Sequence, residues 1–136
     1  MLAELKQGNN GIVFSDFRHY PQDKAAGSPY NTTFSVQVSS EAFAGGGNWT
    51  CDCTAILAFG EALTDMYAFK RTTAVLKDIT YGSRVEMTMD KTGHLRVSGV
   101  VYGKAAEQSL TFSLEADQTA LQTFAAAWRR VEQSLL

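Results

Sequence analysis

The sequence predicts an α+β domain built from an antiparallel sheet of five or six strands with two amphipathic helices packed on one face. Three observations carry this expectation. Apolar residues alternate with polar ones in several short runs, the period of a half-buried strand. They recur at steps of three and four in two longer runs, the period of a helix with one buried face. Turn-forming residues separate the runs so closely that antiparallel neighbours are the economical connection, and each apolar helix face then needs the apolar face of the sheet to cover. A chain of 136 residues suits one domain, able to bury roughly 68 % of its unfolded surface without metals or cross-links. Residues 1–136 are therefore read as a single domain. No period of 20 to 50 residues recurs, which excludes a solenoid or propeller.

Taken in order, Ile12 to Arg18 reads as the first strand. The stretch from Tyr20 to Pro29 holds both prolines and Gly27 and reads as an irregular loop. Phe34, Val36 and Val38 alternate with Ser35, Gln37 and Ser39, giving a strand with one dry and one wet face. Gly45-Gly46-Gly47 is expected to end regular structure as a flexible turn. Ile56, Phe59, Leu63, Met66 and Phe69 then form a helical stripe from Asp52 or Thr54 to Lys70. Either Asp52 or Thr54 can cap its first turn, and Lys70 and Arg71 place positive charge at the negative end of its dipole. Gly60 inside that helix costs about 1 kcal/mol relative to Ala, which points to close packing against the sheet.

The last third is the most regular. Thr72 to Leu76 is extended, Tyr81-Gly82-Ser83 turns the chain, and Val85, Met87 and Met89 mark a strand. Asp90-Lys91-Thr92-Gly93 makes the hairpin turn, Leu95, Val97 and Gly99 carry the chain back, and Leu110, Phe112 and Leu114 form a further strand. The final helix starts near Asp117, which can cap it, and carries Leu121, Phe124, Trp128, Val131 and Leu135 on one face. Phe59, Leu63, Phe112, Leu121, Phe124 and Trp128 are the predicted core, whereas Gln122, Arg129, Arg130 and Gln133 face water.

Composition narrows the function classes. Charged residues make up 19 % of the chain and the formal charge is -2, against about 25 % charged residues in ordinary soluble domains. Such a balance supplies no field to attract nucleic acid or an anionic membrane. Met1-Leu2-Ala3-Glu4-Leu5-Lys6 lacks the basic and apolar segments of an export signal, and no stretch approaches the roughly 20 apolar residues that span a bilayer. A cytoplasmic location is the expectation. Cys51 and Cys53 would close a strained ring if joined, so they read as free thiols. His19 and His94 have no metal-ligand spacing to them or to each other, and no metal or other cofactor is expected.

Catalytic signatures are missing in the same way. There is neither a G-x-S-x-G elbow nor a glycine-rich loop ending in Lys-Ser or Lys-Thr. His94 is the best candidate for acid–base work, yet no partner residue stands at a telling distance in the sequence. Glu86 with Asp90, and Glu61 with Asp65, are carboxylate pairs of the kind that meet water on strand and helix surfaces. No catalytic residue is assigned. Tyr20, Tyr30 and Trp49 stand out more, because they lie in loop segments where no periodic stripe obliges burial, and exposed aromatics anchor protein partners. For Trp49 the other reading is a cap over the open end of the core.

Three pieces occur in one order. The first is a helix with Phe59 and Leu63. The second is the hairpin Val85-x-Met87-x-Met89-Asp90-Lys91-Thr92-Gly93-His94-Leu95-x-Val97, and the third is Leu110-Thr111-Phe112-Ser113-Leu114-Glu115-Ala116-Asp117-Gln118-Thr119-x-Leu121. The D-x-x-G-H turn and the L-x-F-x-x-x-x-D-Q-x-x-L passage resemble the WapI-type immunity proteins of bacterial polymorphic-toxin systems and related small bacterial domains. The resemblance covers Trp49 to Leu136. It implies a cytoplasmic, non-enzymatic protein that binds and neutralises a cognate toxin domain, a role that needs no catalytic residues. Two other readings stay open at this level. A small-ligand binder or enzyme would use a pocket between sheet and helices with His94, Glu86 or Cys51 pointing inside, and a structural module would form a homodimer through an exposed strand edge or sheet face. The immunity reading expects a filled interior and an open outer sheet face or loop rim.

Overall fold

The computed structural model describes residues 1–135. The chain is α+β, with its strands in two antiparallel sheets of four. β1 (Leu2–Gln7), β2 (Asn10–His19), β3 (Thr32–Ser40) and β4 (Phe43–Cys51) form the first sheet in that order. β5 (Thr73–Lys77), β6 (Arg84–Met89), β7 (His94–Tyr102) and β8 (Ser109–Asp117) form the second. A helix follows each sheet, α2 (Cys53–Tyr67) after β4 and α3 (Gln118–Leu135) after β8, while the short α1 (Pro21–Ala25) joins β2 to β3. Four antiparallel strands followed by one helix thus occur twice in succession.

This corrects the expectation of one sheet with both helices on one face. Alternation says which side of a strand is dry, but it does not say which strands pair. Leu2 to Gln7 is a strand that the sequence pattern did not announce, since only Ala3 and Leu5 are buried in it. The loop after Tyr20 contains α1, started by Pro21 at its first turn.

The largest correction concerns Gly45-Gly46-Gly47, which pair with Val38, Gln37 and Val36 in the middle of β4. A Cβ added at Gly47 would lie 2.5 Å from the backbone oxygen of Tyr102, and one at Gly45 would lie 3.2 Å from the Leu110 side chain. Gly45 and Gly47 therefore mark where the edge of the first sheet passes against the end of β7 and the start of β8, at Gly47 closer than a side chain permits.

α2 begins where its capping residues require. The Asp52 carboxylate accepts the Thr54 N–H at 3.1 Å and the Asn31 amide at 3.0 Å, and the buried Asn31 side chain accepts the Cys53 N–H at 2.8 Å. The Asn31 bond, followed by the Thr54 N–H, holds the Asp52 carboxyl below its ordinary value. At the other end Phe69 takes φ 59° and Lys70 N–H reaches Asp65 O at 2.8 Å, so the helix stops before Lys70 and Arg71. Asp117 accepts the Ala120 N–H at 2.9 Å and caps α3.

The two helices pack on each other, α2 also against β5, and α3 also against strands of both sheets. Gly60 faces Trp128 and Glu132 of α3, and not a sheet as its position suggested. Trp128 closes this contact by donating its indole N–H to Ile56 O at 3.0 Å. Its ring lies 5.2 Å from Phe14 and 5.0 Å from Phe59, both edge-on, so one aromatic cluster joins the first sheet to both helices. Phe59, Leu63, Phe112, Leu121, Phe124 and Trp128 are all buried. Among the described residues no helix is long and apolar enough to cross a membrane.

Candidate partner-binding surface

On β3 and β4 the side of the first sheet that faces away from the core carries only neutral side chains, the charged ones lying on β1, at Glu4 and Lys6, and at the end of β2, at Asp16 and Arg18. Strand pairing sets Ser15, Ser35 and Asn48 in one row across β2, β3 and β4, and Val13, Gln37 and Gly46 in the next. Ser35 Oγ donates to Asn48 Oδ1 at 3.0 Å, and Gly46 leaves room for the Gln37 amide to lie over β4. Apart from Val13, these rows floor an open cleft of about 670 Å³, whose far wall is made by Thr80, Tyr81, Tyr102 and Lys104.

That wall is held from below by two buried polar residues. Asp78 is only 2 % exposed. Its Oδ1 accepts N–H groups from Thr50 at 2.8 Å and Thr80 at 3.1 Å, and its Oδ2 accepts the Tyr81 N–H at 2.8 Å. Ser83, also buried, accepts the Tyr102 N–H at 2.9 Å on its hydroxyl and the Asp78 N–H at 2.7 Å on its carbonyl. The loop between β5 and β6 is thereby tied to β4 on one side and β7 on the other. Tyr81, 40 % exposed, stands at its tip.

A bulge builds the opposite end. Between Ser15 and Arg18 the register of β2 against β3 slips by one residue, with Asp16 at φ 55°. The slip restores Phe17 to the core side, where it stacks on Phe34 at 5.1 Å, and leaves Asp16 and Arg18 outside. Without it the strict two-residue alternation would have pointed Asp16 inward. Asp16, Arg18 and Tyr20 line a second hollow of about 470 Å³ that shares Ser35 and Asn48 with the first. The two hollows adjoin along Ser35 and Asn48, and together they make a groove across β2, β3 and β4.

Of the aromatic residues predicted to meet a partner, only Tyr20 lines this groove. Tyr30 is 54 % exposed in the loop before β3, with its N–H on Ser28 Oγ at 3.2 Å. Trp49 is corrected: it is fully buried on the dry side of β4, edge-on to Phe14, and cannot touch a partner. The strand that runs through the glycines is what turns it inward. Among the described residues its indole N–H has no hydrogen-bond acceptor.

The three residues that a pocket between sheet and helices would have used do not converge. His94 is on the outer side of β7, 3.3 Å from Glu115, and Glu86 is on the outer side of β6, 2.8 Å from Arg84. Cys51 is buried in the core with its thiol donating to Lys77 O at 3.1 Å. Burial first, then the carboxylates of Asp78 and Asp52, push that thiol up to about 12, where no reactive thiolate forms near neutrality. Both cysteines are free, and among the described residues no group of three His, Cys, Asp or Glu side chains could hold a metal ion.

The two motifs that carry the family resemblance meet in space. Asp90 Oδ1 accepts the Thr92 hydroxyl at 2.6 Å, the Thr92 N–H at 2.9 Å and the His94 N–H at 3.0 Å, which closes the hairpin turn. Gly93, at φ 84°, packs on Gln118, so that an added Cβ would lie 3.2 Å from the amide oxygen of that side chain. The D-x-x-G-H turn therefore sits on the start of α3, beside the Asp117 cap. Both motifs shape the scaffold.

Comparison with protein-family models and with the curated proteins finds no match. Among solved structures, this chain is similar to WHY3 from Arabidopsis thaliana, with a TM-score of 0.52 and 7 % identity over 99 % of this chain and 88 % of that one. A likeness at that identity speaks for a shared fold.

Sequence reasoning missed Arg18, Tyr81, Tyr102 and Lys104. Tyr81 stands in a Tyr-Gly-Ser stretch that reads as a turn, and nothing local reveals that Asp78 and Ser83 lock it beside Tyr102. The one available signal was the row of small residues, Ser35, Gln37 and Ser39, on the wet face of β3.

Proposed function

We propose that this chain is an immunity protein, a non-enzymatic binder that neutralises a cognate bacterial toxin domain in the cytoplasm. The family resemblance suggests the role, and the observation that best supports a binding role is the groove on the outer face of the first sheet. A surface floored by Ser, Thr, Asn and Gln side chains costs less to cover than a charged one when the partner satisfies its hydrogen bonds, and rigid tyrosines at its rim supply contact area at low entropic cost. The filled aromatic interior directs recognition to the outside.

Co-expression with the product of the adjacent upstream gene tests this reading. A stable complex that abolishes the toxicity of that product is the expected result. Failure to form a complex, together with the absence of a toxin-like gene nearby, overturns it. Replacing His94 by Ala leaves neutralisation intact if no catalytic step is involved, whereas loss of protection with the fold preserved would revive an enzymatic reading.

A further inference from the structure

We infer that the groove across β2, β3 and β4 seats an extended segment of the protein partner whose acidic side chains reach Arg18 at one end and Lys104 at the other. This rests on the proposed role as a protein binder and adds the place and the chemistry of contact. Arg18 and Lys104 form no ion pair among the described residues, and Asp16 is the one carboxylate on the groove wall. A chain with a net charge of -2 therefore presents a net positive groove. Charge complementarity of this kind selects an acidic partner segment and speeds encounter.

The middle of the groove suits a backbone. The side-chain amides of Gln37 and Asn48 have no partner for their N–H groups among the described residues, so they can donate to peptide carbonyls. Two strand spacings separate β2 from β4, and the Tyr81 wall lies beyond, giving a span of about 15–20 Å, or about five or six extended residues. The outer face of the second sheet is less suited. Its hollow of about 780 Å³ carries Arg84, already bound to Glu86, and Arg96, which lies opposite Glu115 in the strand register.

Two measurements test the inference, with Thr88→Glu on the outer face of the second sheet as the control. In the complex with the adjacent gene product, Arg18→Glu and Lys104→Glu should each weaken the dissociation constant about tenfold or more, and Thr88→Glu should leave it within about twofold. In the free chain, a millimolar hexapeptide with Glu at both ends and Gly and Ser between should shift the amide NMR signals of Ser35, Gln37, Gly46 and Asn48 saturably. The Arg18→Glu/Lys104→Glu double variant should lose those shifts while its remaining signals stay in place. A complex unaffected by the charge reversals overturns the groove inference and leaves the immunity proposal standing. Absence of any complex, with the peptide shifts present, has the opposite meaning. Equal or larger shifts with a hexapeptide that carries Lys in place of both Glu residues, or with an oligothymidylate, overturn the acidic-segment inference outright.

Discussion

The two sheets have the same strand order and opposite allocations of side chains. The first is aromatic inside, with Phe34 and Trp49 packed on Phe14 and Phe14 in turn on Phe124 and Trp128, and nearly uncharged outside on β3 and β4. The second is aliphatic and methionine-rich inside, through Leu76, Val85, Met87, Leu95 and Val97, and studded outside with Lys77, Arg84, Glu86, Arg96 and Glu115. Rings fix relative position because they are large and rigid, so the first sheet is held from within. Its outer face on β3 and β4 carries no charges and can be covered at lower desolvation cost than a charged face, provided the partner meets its hydrogen bonds. Surface ion pairs such as Arg84–Glu86 add little stability but make the second sheet costly to desolvate.

The largest expected effect tests the aromatic side of this contrast. Trp128→Ala should cost about 3–5 kcal/mol in urea unfolding, and hydrogen exchange in β1–β4 should accelerate more than in β5–β8. Met87→Ala in the second sheet should cost about 2–3 kcal/mol; a loss equal to that of Trp128 would break the comparison. Next, Asp78→Ala leaves three N–H groups without their acceptor and should cost about 3 kcal/mol. Its amide exchange should rise at Thr80 and Tyr81 while the β6–β7 hairpin stays protected, and uniform loss of protection would show that the groove wall is not separately held.

Gly47→Ala pushes a methyl group against the Tyr102 carbonyl and should cost about 2 kcal/mol. An unchanged unfolding midpoint would mean that the sheets tolerate separation. The smallest effect is a pH dependence. Because the folded-state value of Asp52 lies below the ordinary 3.8, its contribution is complete above that pH and is lost as pH falls through the lowered value. Asp52→Asn keeps a capping oxygen and should change stability at pH 7 by less than about 1 kcal/mol. Its stability should fall less steeply than that of the native chain below pH 3.8; parallel acid limbs would contradict the Asn31–Asp52 bond.

Elements with their own local signature were legible. The stripe from Ile56 to Met66, the hairpin around Asp90 and the Asp117 cap follow from periodicity and capping chemistry that act within a few residues. Gly45–Gly47 were misread, because a glycine run is both the sign of a flexible turn and the means by which two sheets touch, and the choice depends on Tyr102 and Leu110 far along the chain. Trp49 changed sides with them. The groove was still less visible, since Arg18 reaches it through a bulge and Tyr81 through a buried carboxylate.

By itself the sequence determined the period, the dry face and the capped ends of most strands and of both long helices, since those depend on steric and hydrogen-bonding preferences between near neighbours. Only the tertiary structure decided that the strands divide into two sheets of four and that Tyr81, Tyr102 and Lys104 of one half wall a groove floored by Ser35 and Asn48 of the other. Pairing and docking are choices among many partners with similar apolar faces, and packing of the whole chain selects among them.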